Sequence, residues 1–250
     1  MEQYPDFFGD PYERYVEPFL GGGAVFFTAK PKNALLSDIN HELIECYRVV
    51  RDDPEKLVEI LAIHHERHSK DYYYSIRSTP IDDRIEKAGR FIYLNRTCFN
   101  GLYRVNLLGN FNVPKGTKSS VLLPTDDFLA VSSALKRVEL CVGDFESIVS
   151  RCGSGDFLYL DPPYTANHNN NGFLKYNEKI FSWDDQKRLK AAALDAAKRG
   201  ARVVVSNAAH SSVVDLYKDA GEIMTVSRSS VLAANRNKRG KVQEILVVMG

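Results

Sequence analysis

The sequence predicts an α/β fold: a Rossmann-like, mostly parallel sheet with helices on both faces, carrying a helical and hairpin insertion in its middle. Two observations predict it. Short aliphatic runs alternate with segments of helical periodicity at both ends of the chain, the rhythm of strands joined by crossover helices. Between them, residues 53–136 lose that rhythm, turning helical and then rich in Asn, Gly, Arg and aromatic residues. Residues 1–52 and 137–250 are accordingly expected to form one core, and residues 53–136 a separate inserted part.

Residues 14–19 read as the first strand, since Tyr15, Val16 and Phe19 are strand formers and the glycine run Gly21, Gly22, Gly23 follows at once. Residues 24–27 then open a helix. Residues 34–37 are a second strand ending at Asp38, and residues 39–51 carry helical spacing. Residues 54–68 and 81–95 pattern as amphipathic helices with Tyr72, Tyr73 and Tyr74 between them, and residues 96–113 show little periodicity. A helix over 126–136, a strand over 138–142, a short helix over 145–150 and a buried strand over 156–160 restore the α/β alternation. Helices over 183–198 and 213–220, with strands over 202–206, 222–226 and 242–248, complete it.

The strand at 156–160 has a definite stop. Pro162 and Pro163 have no N–H to donate and each fixes its own φ, so the sheet cannot continue past Asp161. The strand therefore ends in a carboxylate, two prolyl carbonyls and the ring of Tyr164.

Composition narrows the function classes. Hydrophobic residues at 44% and charged residues at 26% are ordinary for a soluble globular chain. The formal net charge of +1 excludes a global polycation, so a nucleic-acid surface has to be a local patch. Cys46, Cys98, Cys141 and Cys152 lie far apart, without C-x-x-C or Cys/His metal spacing, and are expected as reduced thiols of a cytoplasmic protein. No leader and no long apolar span is apparent, so no membrane insertion is expected. His64, His65 and His68 lack a carboxylate partner at ligand spacing; they read as a solvated helix face, and no metal is expected. The basic run 236–241 reads as a charged loop able to touch phosphates, and the polar run 167–171 as a loop able to act as a lid.

The stretch 15-YVEPFLGGGAVFF-27 is a strand, a glycine turn and a helix start, a place where backbone N–H groups can approach a ligand closely. Its spacing is not G-x-G-x-x-G and no Lys-Ser/Thr follows, which excludes a P-loop. A plain strand-to-helix turn is equally compatible. Asp38 in 35-LLSDIN-40 stands where an α/β nucleotide site places a carboxylate for ribose hydroxyls, and equally where a helix takes its N-cap. The pair, about 20 residues apart, favours an adenosine-containing ligand. Asp161, Pro162 and Tyr164 then fall beside it, beyond the carboxyl end of a strand. A carboxylate and a carbonyl accepting both N–H bonds of an aromatic amino group would localise its lone pair for attack on an electrophilic methyl group. Tyr164 suits stacking on a base drawn out of a duplex. A rigid turn that merely caps a strand is the competing reading.

In order along the chain, EPFLGGGAVFF, SDIN, NRTCFNGLYRVNLLGNFNVP, GDF and DPPY together resemble the Dam-type family of adenine-specific DNA methyltransferases, which use S-adenosylmethionine. The resemblance runs from Tyr15 nearly to the end of the sequence. It implies a methyltransferase sheet, a DNA-recognition insertion, and transfer of a methyl group to the exocyclic amino group of adenine in duplex DNA by base flipping. By the resemblance, the cofactor is held by Glu17, Pro18, Phe19, Gly21, Gly23, Asp38, Asp144, Phe145 and Asp161. Asp161, Pro162, Pro163 and Tyr164 receive the flipped adenine. The insertion becomes a DNA-reading hairpin in which Arg104 faces a guanine, Leu102 and Pro114 meet a thymine methyl, and Phe99 wedges into the base stack beside Asn100. Arg96, Asn106 and Asn112 complete the DNA-binding set, the two asparagines on phosphates. A GATC-like site is implied, although Thr117 and Lys118 depart from the family pattern.

The family's upstream segment, a tryptophan with a Gly-Gly-Lys turn that closes over the cofactor, is not found before Arg14. A second reading follows: a DNA-binding protein of the same fold with weak or no methyl transfer. Methylation of RNA or of a small amino-bearing substrate is a third, but it leaves the Arg104 hairpin without a role. A restriction or defence-system partner stays open.

Overall fold

The structure is a computed structural model that describes residues 11–106, 108–164, 181–229 and 241–250. Its strands are β1 (Arg14–Glu17), β2 (Ala34–Asp38), β3 (Val138–Val142), β4 (Asp156–Leu160), β5 (Arg202–Ala208), β6 (Glu222–Ser229) and β7 (Lys241–Met249). They form one sheet in the order β3-β2-β1-β4-β5-β7-β6. The first five positions in that order are parallel, while β7 runs antiparallel to both β5 and β6. Chain order reverses between β1 and β4, so the crevice beyond their carboxyl ends is the switch point where α/β sheets bind ligands.

Helices α1 (Ala24–Ala29), α7 (Phe145–Val149), α8 (Trp183–Lys198) and α9 (Ser211–Tyr217) belong with the sheet. One sheet face presents Val16, Leu35, Leu158, Leu160, Val203, Val205, Ile245 and Val247, all at most 1% exposed. Ile148 and Val149 of α7, Leu189 and Ala193 of α8, and Val213 and Tyr217 of α9 pack into the same core. Burial on this scale stabilises by about 1.5–3 kcal/mol per large aliphatic side chain. At the far end of the switch-point strands, Arg14 clamps Asp156 with two bonds, Nε to Oδ1 at 2.8 Å and Nη2 to Oδ2 at 2.9 Å. That bidentate pair fixes the β1–β4 register from the end opposite the crevice.

The described chain divides into two compact units, one joining residues up to Ile39 with those from Arg137 onward, the other Asn40–Lys136. The second unit holds α2 (His41–Asp52), α3 (Pro54–Glu66), α4 (Lys70–Ser78), α5 (Arg84–Thr97) and α6 (Phe128–Leu135). Four of these five helices start on side-chain caps: Asn40 accepts from Leu43 N, Ser69 from Tyr72 N, Asp83 from Ile85 N and Glu86 N, and Asp127 from Ala130 N, while α3 opens on Pro54.

Several elements differ from the sequence expectation, for identifiable reasons. The three tyrosines are not a connection. Ser69 caps a helix through them, and Tyr73 is fully buried with its hydroxyl donating to Val113 O at 3.0 Å. Of the histidines expected on a solvated face, His65 is exposed, His68 is half-buried and His64 is buried. His64 is 6% exposed, its ring stacks on Tyr93 at 4.8 Å, and its Nδ1 lies 2.9 Å from the Tyr72 hydroxyl. His65 Nδ1 accepts the N–H groups of Val121 and Leu122, and His68 Nδ1 lies 2.9 Å from the Tyr93 hydroxyl. Burial pushes His64 down to about 4, and His68 is lowered by burial with help from Lys115 and His65. Among the described residues no His/Cys/Asp/Glu group is arranged to hold a metal, and no helix is long and apolar enough to cross a membrane. The polar run 167–171 and residues 236–240 of the basic run lie outside the described residues.

Candidate active site and recognition hairpin

The carboxyl ends of β1, β2 and β4 bring together most of the residues the sequence singled out in the first unit. Glu17 closes β1, opposite Leu36 of β2, and is 3% exposed. Tyr15, two residues earlier on the same strand face, donates its hydroxyl to Glu17 Oε2 at 2.8 Å. Burial pushes the Glu17 carboxyl up to about 8. The Tyr15 bond opposes that rise, and the Asp161 carboxylate adds to it. Pro18 is buried, and Phe19 stacks on Phe145 at 5.3 Å with Phe181 edge-on at 5.6 Å.

The glycine turn has a conformational reason for its composition. Gly21 and Gly23 sit at φ 47° and 64°, the left-handed region that costs a side chain strain. Gly23 leads into α1, and its N–H bonds Leu20 O at 2.7 Å. Gly21 N donates to Asp38 Oδ2 at 3.1 Å. This resolves one ambiguity of the sequence: Asn40, not Asp38, caps the following helix, while the Asp38 carboxylate turns to the glycine turn. A Cβ on Gly21 or Gly22 would meet no heavy atom within 4 Å, so the turn borders open space.

Asp144 caps α7 through Glu146 N at 3.0 Å and also accepts from Arg188 Nη2 at 3.0 Å. Arg188 further bonds Glu146 and Asp185 and lies 5.0 Å over the ring of Phe145. Phe145 is 4% exposed and sunk in the core between Phe19 and Phe181, so it builds the wall under the turn. The remaining carboxylate, Asp161, follows β4 directly, with Pro162 buried and Pro163 and Tyr164 half-buried. Glu17, Asp38, Asp144 and Asp161 thus gather beyond one edge of the sheet. Such a set, beside open backbone, suits a ligand bearing hydroxyls and a positive charge, the chemistry of an adenosine linked to a sulfonium.

The hairpin of the second unit is built from residues 98–115. Antiparallel bridges join Cys98 to Lys115 and Val105 to Phe111. Tyr103 anchors it: its ring packs on Phe91 and Phe111, and its hydroxyl donates to Glu42 Oε2 at 2.7 Å. On this frame Arg104 is exposed and held in position, Nε donating to Asn112 Oδ1 at 2.7 Å. Asn112 is therefore the orienting partner of Arg104. Phe99 is 49% exposed beside Asn100, which adopts φ 54°, and Phe99 N donates to Pro114 O at 2.9 Å. Leu102 is half-buried and Pro114 exposed. Asn106 is committed to the hairpin turn, its Oδ1 accepting from Leu108 N and Asn110 N, each at 3.0 Å. Arg96 stands apart on α5, where its guanidinium grips Asp126 bidentately and also bonds Val121 O.

Two features escaped the sequence reading. Glu244, 2% exposed on β7, accepts the hydroxyl of Tyr164 at 2.8 Å. Its signal was a lone acid inside the apolar run of residues 244–249. Asn207, fully buried near the end of β5, donates to Gln186 Oε1 at 3.1 Å and accepts from Ala208 N at 2.9 Å. Its signal was a polar pair closing an all-valine strand.

Comparison with known proteins points the same way. The family model for D12 class N6 adenine-specific DNA methyltransferases matches residues 2–231. A type II methyltransferase of Lactococcus lactis, M1.LlaDCHI, is 38% identical over 247 residues, covering 95% of this chain and 87% of its own. M.MjaIII, a type II methyltransferase of Methanocaldococcus jannaschii, is 33% identical, covering 94% of this chain and 88% of its own. The DNA adenine methylase of Vibrio cholerae is 31% identical, covering 93% and 86%.

Proposed function

We infer a division of labour within a chain that belongs to the D12 class of N6 adenine-specific DNA methyltransferases. Its activity is methyl transfer to the N6 amino group of adenine in DNA. The first unit reacts and the second reads. The observation that carries the first half is the gathering of Asp161, Pro162 and Tyr164 with Glu17, Gly21 and Asp38 at the switch point of the sheet.

The cofactor is S-adenosylmethionine, which when bound supplies a methyl group made electrophilic by its sulfonium. The Gly21–Gly23 turn and Asp38 hold its nucleoside, Asp144 and the wall built on Phe145 flank the adenine, and Glu17 and Asp161 flank its charged end. Duplex DNA gives up its target adenine to the Asp161–Tyr164 pocket. There the Asp161 carboxylate and the Pro162 carbonyl each accept one N–H of the amino group. That pair of bonds localises the nitrogen lone pair and aims it at the methyl carbon. S-adenosylmethionine would supply the methyl group that the nitrogen takes up, and Asp161 would accept the proton that the nitrogen sheds. Tyr164 stacks on the base and keeps it out of the duplex.

Arg104, set by Asn112, reads a guanine within a GATC-like site, since a guanidinium matches the two major-groove acceptors of that base. Leu102 and Pro114 contact a thymine methyl, and Phe99 wedges into the stack beside Asn100. Relatives named as type II methyltransferases support a restriction-modification setting in the cytoplasm.

Labelled-methyl transfer to a GATC duplex, beside a scrambled duplex and an Asp161→Ala control, tests this directly. Site-dependent incorporation that drops by at least about a hundredfold in the variant is the expected result. Incorporation equal on both duplexes would remove Arg104 as reader of that site, and an active Asp161→Ala variant would remove the assigned chemistry.

A further inference from the structure

Tyr164 and Glu244 are 80 residues apart, on opposite sides of a strand, yet they form one hydrogen bond. In the sheet β5 separates β4 from β7, and Glu244 stands in register with Ala208 of β5 and Val226 of β6. The tyrosine leaving the end of β4 therefore reaches past β5 to touch the carboxylate. Ala208, the residue level with that carboxylate, carries only a methyl group.

Glu244 is an unusual residue for its place. It is followed by Ile245, Leu246 and Val247, all at most 1% exposed, and it is itself 2% exposed. Burying a carboxylate is costly unless donors satisfy it, so an acid retained here has a polar task. The bond it accepts, Tyr164 hydroxyl to Oε1 at 2.8 Å, ties down a side chain of the D-P-P-Y segment whose direction the prolines do not set. Pro162 and Pro163 restrict the main chain through their rings, but nothing in them sets the torsions of the tyrosine side chain. A phenol tied at its far end has the direction of its ring axis, from Cβ to the hydroxyl, fixed before any base arrives.

We propose that Glu244 is a positioning residue for methyl transfer, anchoring the ring of Tyr164 in the place where the flipped base stacks. The proposal rests on the reading of Asp161–Tyr164 as the base pocket. Glu244 touches neither substrate nor cofactor in this account. It acts through the tyrosine, and its effect falls on DNA rather than on cofactor.

The test uses the full chain in four variants: Tyr164→Phe, Glu244→Ala, Glu244→Gln and the double variant Tyr164→Phe with Glu244→Ala. Methyl-transfer kinetics on duplex DNA are measured beside cofactor affinity and the fluorescence of 2-aminopurine placed at the target adenine. Tyr164→Phe and Glu244→Ala should each lower kcat/KM for DNA by about tenfold, the scale of one hydrogen bond to a charged acceptor. The double variant should lose no more than the worse single variant, because both remove the same bond. Glu244→Gln keeps an acceptor oxygen and should recover to within about threefold of wild type. Cofactor affinity should stay within about twofold throughout, while the 2-aminopurine signal falls with the loss of the bond.

Multiplicative losses in the double variant would overturn the proposal, as would a Tyr164→Phe enzyme indistinguishable from wild type. Tyr164→Phe is isosteric, so it yields an answer even where Glu244→Ala does not fold. A wild-type chain that transfers nothing to duplex DNA would instead overturn the function assigned to the pocket, and that outcome is read in the wild-type arm alone.

Discussion

The two units of this protein bury ionisable side chains to opposite ends. In the first, Glu17 sits at the carboxyl end of β1, and burial pushes it up to about 8, so near neutrality it holds its proton. In the second, His64 is packed among Tyr72 and Tyr93, and burial pushes it down to about 4, so near neutrality it stays without one. Both are neutral in the fold, and both cost stability once they ionise. The difference lies in position. Glu17 lies in the switch-point crevice, where it feels the charge of Asp161, while His64 lies inside the helix packing of the unit that carries the hairpin. One buried group is part of the proposed site and the other is part of a scaffold.

Alkaline titration sharpens the contrast most. The folded chain keeps the Glu17 proton up to about pH 8, whereas an unfolded carboxylic acid loses it near pH 4.5. The fold therefore binds more protons than the unfolded chain across that window. The stabilisation is full below pH 4.5 and is lost as pH rises through 8, a change of up to about 5 kcal/mol. Hydrogen exchange between pH 6 and 9 should show the β1–β4 amides opening first, and Glu17→Gln should flatten the trend. Unchanged protection in wild type across that range would break the comparison at its first term.

Acid reverses the roles, with a smaller effect. Unfolded His64 takes a proton near pH 6.5 and the folded residue only near pH 4, so stability is intact above pH 6.5 and falls as pH drops through that window. The loss is up to about 3 kcal/mol and should appear as exchange at α3 and α5 before it appears in the sheet. His64→Gln removes the titration and should leave a shallower acid slope. If the sheet opened first in acid, the second unit would not own this sensitivity.

The smallest expected effect tests whether the scaffold is as exacting as the site. Asn112→Ala removes the acceptor that holds Arg104 Nε without removing the guanidinium itself. Discrimination against a changed guanine should fall by about 1–2 kcal/mol while the rate on the preferred site changes little. An equal loss of rate on every sequence would show Asn112 acting on the hairpin fold rather than on Arg104.

The sheet was largely legible because its strands are short aliphatic runs with clear stops. Pro162 and Pro163 end β4 by chemistry that no tertiary context overrides. Position along the sheet was less so. Nothing in the local pattern of residues 241–249 says that this strand inserts antiparallel between β5 and β6, since register and order are set by distant partners. The same blindness hid the bond of Tyr164 to Glu244. In the insertion the errors had one cause. Tyr73 and His64 look polar enough for a surface, yet each finds an internal partner for its polar atom, and only then can it be buried. At Asn112 the residue type was visible, but its neighbour across the hairpin, Arg104, was not.

Seen from the ribosome, β7 has a further consequence. Strand β6 emerges before the strand that joins it to the rest of the sheet, and its sheet neighbour is β7. Until β7 arrives, β5 keeps an open edge and β6 has no place in the sheet. The same late segment brings Glu244, so the tyrosine of the pocket waits for its acceptor through 80 residues of synthesis. A nascent chain halted before β7 thus carries the motifs quoted from its sequence and still lacks the strand that joins β6 to the sheet.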